Sequence, residues 1–195
     1  MKLSGQQDAR QTKITLSYDQ PFLYRKLGDF IYQWLPSSLA DIVIICIGSD
    51  RSTGDALGPI TGTYLSKWGL KNFSVYGTLA DPIHALNLND RLSSIKNKHP
   101  KGFVIAIDAC LGRSSSIGCI NAHIGSLKPG LALKKKLPDV GDFSITGIVN
   151  ASSPIDFLAL QHTRLNLVMQ QAEAIARSLL YLHRVRLTEK TSFSS

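Results

Sequence analysis

Two aspartates stand where carboxylates can do chemistry. Asp55 lies in Gly54-Asp55-Ala56-Leu57-Gly58-Pro59, a short way past the apolar run Ile42-Val43-Ile44-Ile45-Cys46-Ile47. Asp108 follows a second such run, Phe103-Val104-Ile105-Ala106-Ile107. A carboxylate closing an apolar strand is costly to bury alone, so it needs a partner or a task. Arg51 or Arg113 would supply a structural ion pair to it. Asp55 has an equally ordinary use, as the N-cap of the helix that follows. If the two aspartates meet, they cannot both ionise freely, and one holds a raised pKa. Asp108, on the apolar strand, is the better candidate for that one. Such a pair can deliver water to an amide, one member as base and the other as acid. It can also hold a divalent metal through oxygen. Spacing alone does not choose between these.

Three further features bear on the chemistry. His84, in Asp81-Pro82-Ile83-His84, follows a short strand and faces the same edge. With Asp55 and Asp108 it could make a carboxylate–histidine metal site, although a lone loop histidine is more often a hydrogen-bonding residue. Cys110 comes two residues after Asp108, on the same strand face, so a cysteine nucleophile has to be weighed against a small buried residue. The glycine loop Gly48 to Gly58 is neither GxGxxG nor GxxxxGK[ST], and its two acidic residues would repel a phosphate. Ser152 and Ser153 lack the GxSxG context of a hydrolase elbow.

The elements that must position these residues read as follows. A helix is predicted from Pro21 to about Leu35, with Asp19 as a possible cap, then the buried strand Ile42 to Ile47. A helix from Pro59 to Trp68, a strand Phe73 to Tyr76, and a polar helix from about Leu86 to Lys98 come next. Strands are expected at Phe103 to Ala109, Ile117 to Ile124 and Phe143 to Val149, with a long loop from Gly125 to Gly141. A last long helix runs from Pro154 to Arg186, with Ser153 as its N-cap and a break near Gln161 to Thr163. Strands alternating with helices predict an α/β fold, a three-layer α/β/α sandwich with a mostly parallel central sheet. Ligands then bind at the carboxyl ends of the strands, where Asp55, His84 and Asp108 all fall. Residues 1–18 are expected to be a flexible lead-in, 19–186 one domain, and 187–195 a polar tail.

Composition narrows the classes. Of 195 residues, 44% are hydrophobic and 18% charged, which supports one real core and argues against disorder. No apolar run is long enough to span a bilayer and the N-terminus has no apolar signal region, so a cytoplasmic protein without a membrane partner is expected. Three cysteines, Cys46, Cys110 and Cys119, form neither a disulfide framework nor a CxxC zinc pair. The net charge of +8 is dispersed apart from Lys134-Lys135-Lys136, with Lys128 nearby, so nucleic acid is not the expected partner.

The motifs also resemble known ones. Gly54-Asp55-Ala56-Leu57-Gly58-Pro59 and Ile107-Asp108-Ala109-Cys110-Leu111-Gly112-Arg113 resemble the two aspartate motifs of the germination protease family. Cys46-Ile47-Gly48-Ser49-Asp50-Arg51-Ser52-Thr53-Gly54-Asp55, with Thr146-Gly147-Ile148-Val149-Asn150 and Gln161-His162-Thr163-Arg164-Leu165, resembles the sporulation-associated YyaC family more closely, over roughly residues 20 to 185. The resemblance implies a phosphorylase/hydrolase-like fold, shared with hydrogenase maturation proteases, and a place in the cytoplasm of a sporulating cell, in mother cell or forespore. It implies Asp55 and Asp108 as the catalytic pair of an aspartate-dependent endopeptidase, with small acid-soluble spore proteins as the class of substrate. Arg51, Arg113 and His84 would orient the pair or bind substrate. The nickel-binding acidic residue of the hydrogenase maturation proteases keeps a metal at Asp55 and His84 in view. The chain is much shorter than a germination protease, and its Gly125 to Pro154 region matches that enzyme only loosely. A non-catalytic sporulation protein that binds peptide, partner or divalent metal in the same cleft is the alternative.

Overall fold

The computed structural model describes residues 11–36, 41–130 and 137–192. In chain order these form β1 (Lys13–Ser17), α1 (Leu23–Tyr32), β2 (Ile42–Cys46), α2 (Leu57–Trp68), β3 (Phe73–Tyr76), α3 (Leu88–Lys98), β4 (Phe103–Gly112), β5 (Cys119–Ile124), β6 (Phe143–Ala151), α4 (Asp156–Gln161) and α5 (Leu165–Ser192). A single 3-10 turn, Gly54–Ala56, runs into α2. The six strands make one sheet in the order β1-β5-β6-β4-β2-β3. Its β3-β2-β4-β6 part is parallel, while β5 runs antiparallel to both β6 and β1.

The apolar strands explain this layering. Every residue of β2 is buried, because helices cover both faces of the sheet there. Ile42, Ile44 and Cys46 face the layer of α1, α2 and α5, packing with Leu27, Leu57 and Ile175 among others. Val43 and Ile45 face the other way, against Leu88 and Ile95 of α3. The result is the expected α/β/α sandwich with a mostly parallel sheet.

Several boundaries differ from expectation. The stretch predicted as lead-in contains β1, which alternates exposed and inward residues and buries Leu16. The stretch predicted as tail continues α5 to Ser192. Asp19 caps no helix: it accepts a hydrogen bond from the Ser17 hydroxyl, and α1 starts after Phe22, whose φ of 58° turns the chain. The long C-terminal helix is broken near the predicted place, between α4 and α5. Ser153 is not the N-cap of α4, which is Ile155; its hydroxyl accepts the Ile155 N–H just upstream. The lysine run at 134–136 lies outside the described residues.

Candidate functional site

The chain leaves β2 in one direction to build β3, then crosses back to place β4 on the other side of β2. The crevice between the carboxyl ends of β2 and β4 is therefore a topological switch point, the usual ligand position in such sheets. Asp55 comes from the loop above β2, and Asp108 from β4 itself.

Two glycines press the loop onto the sheet. Gly48 has a φ of 138°, and a Cβ there would lie 2.0 Å from the Asp55 carbonyl oxygen. At Gly58 a Cβ would lie 2.1 Å from the Ile47 carbonyl oxygen. The Ser49 N–H donates to the Asp55 carbonyl at 3.1 Å, closing the loop. Asp55 sits inside the 3-10 turn rather than capping it, and α2 has no side-chain cap at all. The ordinary explanation for this aspartate is thus removed.

Asp108 continues the row of Val104 and Ala106, whose side chains face the α3 side. It is 8% exposed, and its carboxylate accepts the Ala109 N–H at 2.8 Å. Burial pushes its pKa well above the usual carboxylate range, and the Asp55 charge pushes it further. Burial also lifts Asp55, to about 6, against the opposing pull of the Ser49 amide and His84. The two carboxyls thus share one cavity of about 510 Å³, and burial favours the protonated form of each.

The other predicted residues divide. His84 lines the cavity. Its place is fixed by a turn in which its N–H donates to Asn87 Oδ1 at 2.9 Å and the Asn87 side chain donates to the Pro82 carbonyl at 3.0 Å. The Leu86 N–H donates to His84 Nδ1 at 3.2 Å, so the neutral ring carries its proton on Nε2. Cys110 also lines the cavity, but burial pushes its thiol up to about 11, with the Thr146 hydroxyl pulling the other way. It is a protonated thiol at neutral pH, not an activated nucleophile. Arg51 and Arg113 are exposed and absent from the cavity lining. Among the described residues neither forms an ion pair with Asp55 or Asp108, so they do not orient the pair. Both lie on the loops that leave β2 and β4, where arginine heads reach water rather than the low-dielectric crevice.

The structure adds residues that sequence reading passed over. His123, Lys128, Thr146 and Asp156 line the same cavity. His123 and Thr146 alternate with core residues on β5 and β6, a period-two signal that strand patterning contains. The segment predicted as a long loop after β5 is tied down by a bridge between Leu127 and Val140, which brings Lys128 to the rim.

A divalent metal fits this set poorly. A histidine ligand binds through a bare ring nitrogen, and His84 spends Nδ1 on Leu86 while Nε2 holds the proton. Among the described residues no three His, Cys, Asp or Glu side chains gather with ligating geometry. Asp55, His84 and Asp108, the set expected from the sequence, line one cavity without forming such a cluster, and Asp55 with His84 alone is short of the ligand number these metals take.

A family described as "Protein of unknown function (DUF1256)" matches residues 15–178, a span that includes Asp55, His84 and Asp108. The chain belongs to that family. It is 49% identical over 152 residues to "Uncharacterized protein YyaC" of Bacillus subtilis (strain 168), covering 78% of this chain and 71% of that protein. The resemblance read from the motifs therefore holds for the DUF1256 chain. Among solved structures it is similar to a [NiFe] hydrogenase maturation protease, HycI, from Thermococcus kodakarensis KOD1. There the identity is 16%, the coverage 76% of this chain and 95% of that one, and the TM-score 0.48. No helix among the described residues is long and apolar enough to cross a membrane.

Proposed function

We propose that this protein is a peptidase-type amide hydrolase in which Asp55 is the general base and Asp108 the general acid. The observation that carries this reading is that two carboxyls line one cavity, with Asp108 buried at the end of its strand. Asp55, with a pKa of about 6, is mostly ionised at pH 7, while burial and the Asp55 charge beside it favour the protonated form of Asp108. Asp55 takes a proton from water as its oxygen bonds to the amide carbon. Asp108 gives its proton to the nitrogen as the C–N bond breaks. The proton held by Asp55 then returns to Asp108, so one water is consumed and the pair is restored. The Nε2–H of His84 is a donor suited to the substrate carbonyl oxygen as it gains charge. The motif resemblance supplies the class of substrate, small acid-soluble proteins of a sporulating cell.

The test is cleavage across pH. Wild type and Asp108→Asn are incubated with small acid-soluble spore proteins and with a peptide library, and products are read by mass spectrometry. Cleavage is expected from wild type only, rising with pH through about 6 as Asp55 ionises and falling once Asp108 loses its proton. Equal cleavage by both proteins, or none by folded wild type, overturns the reading. Binding without turnover would then leave the cleft as a recognition site.

A further inference from the structure

Helix α3 covers the sheet face only as far as the first half of β4, where Ala106 packs with Ile95. Beyond it the same face is polar, in a band set by strand register. Asp108 stands opposite Thr146 on β6, Thr146 opposite Asn121 on β5, and Asn121 opposite Thr15 on β1. Residues directly opposite share a face, so the four make one row across the sheet from the acid pair to its edge. The neighbouring row sets Lys13 opposite His123.

The polar groups of the band are aimed rather than merely exposed. The Thr15 hydroxyl donates to Asn121 Oδ1 at 2.7 Å, which leaves the Asn121 amide nitrogen as a donor. The His123 Nδ1–H donates to the Ile124 carbonyl at 3.1 Å, which leaves Nε2 as an acceptor for a peptide N–H. Thr146, His123 and Lys128 line the cavity that holds Asp108, so band and cavity are continuous. Asp55, Asp108 and Asp156 line the cavity with Lys128, and Lys13 lies on the edge strand opposite His123. Lys13 is exposed there and forms no ion pair among the described residues.

We propose that this band is the floor on which an extended peptide lies, and that Lys13, with Lys128, takes a side-chain carboxylate of that peptide. The proposal rests on the peptidase reading for the identity of the ligand. Three strand spacings of about 4.8 Å separate Asp108 from the Thr15 row, about 14 Å in all. An extended chain advances about 3.4 Å per residue, so the acidic side chain falls about four residues from the bond at Asp108. A lysine facing a peptide carboxylate favours it over a neutral glutamine and repels a lysine there.

The test measures binding apart from turnover. Full-length Asp108→Asn is immobilised and offered decapeptide pools that carry Glu, Gln or Lys at one fixed position and mixed residues elsewhere. Retained peptides are quantified by mass spectrometry. Glu pools are expected to be retained about tenfold over Gln pools. Adding Lys13→Glu should reverse the order in favour of Lys pools, with an unchanged melting temperature. Adding Asn121→Leu instead should weaken all pools alike. Equal retention of the three pools, no retention, or a Lys13→Glu effect blind to charge overturns the proposal. Charge-selective retention by Asp108→Asn together with a wild type that cuts nothing would sink the peptidase reading and leave the band standing.

Discussion

The strand β2 has an aspartate beyond each end, and the two lead opposite lives. Asp41 precedes it, and its carboxylate engages His99 Nδ1, while His99 Nε2 accepts the Tyr76 hydroxyl at 2.7 Å. The Tyr76 and His99 rings also meet edge to face, 5.7 Å apart. That cluster ties the end of α3 to β2 and β3, with every charge answered. Asp55, past the other end, faces a second carboxyl and forms no ion pair among the described residues. One fold thus handles the same residue type in two ways. A carboxylate with a partner fastens elements together, whereas two carboxyls in one crevice cost stability and keep a proton ready.

The contrast can be broken most forcefully at the acid pair. Asp55→Asn should lower peptide cleavage by about a thousandfold or more, as expected for loss of a general base. The same change should make the protein more stable at pH 8. In wild type the folded pKa of about 6 lies above the ordinary 3.8, so stability falls as pH rises through that window. Removing the charge returns up to about 3 kcal/mol, read by urea unfolding at pH 4 and pH 8. A variant that is inactive and also less stable at pH 8 would refute this account of the site.

His99→Ala is the opposite case. It removes the partner of Asp41 and Tyr76, and should cost about 1–3 kcal/mol of unfolding free energy. Cleavage by the folded fraction should stay within about twofold of wild type, because His99 is outside the dyad cavity. Gly48→Ala tests what holds the loop. Its Cβ would collide with the Asp55 carbonyl oxygen, so a loss of about 1–3 kcal/mol is expected together with a shifted acid limb in the pH profile. At the small end, Arg51→Ala and Arg113→Ala should change stability by less than about 0.5 kcal/mol and leave the pH profile in place. A large effect of either would mean that substrate recruits an arginine the free protein keeps in water.

The sequence carried the sheet well where strands are buried on both faces. Phe73–Tyr76 and the run from Ile42 were legible because β-branched residues cluster there between turn signals. It carried β1 poorly. Lys13-Ile14-Thr15-Leu16-Ser17 buries one side only, against a polar N-terminal stretch, and its alternation is short. The acid pair was legible from Asp108, since a carboxyl after five apolar residues has few ordinary explanations. Nearness in sequence does not bring the two arginines to the cavity, which neither of them lines. His123 and Thr146 were passed over because neither is unusual on a half-exposed strand; only register across β4, β6 and β5 sets them beside Asp108.

The edge strand has a practical consequence. A shortened protein starting at residue 19 would look tidy on hydropathy grounds, yet it would strip β1 from β5. The five pairings from Lys13–His123 to Ser17–Cys119 would be lost, leaving the main-chain groups of β5 open along one side. Such an open side invites another molecule to add its own strand, so trimming the chain there would favour aggregation.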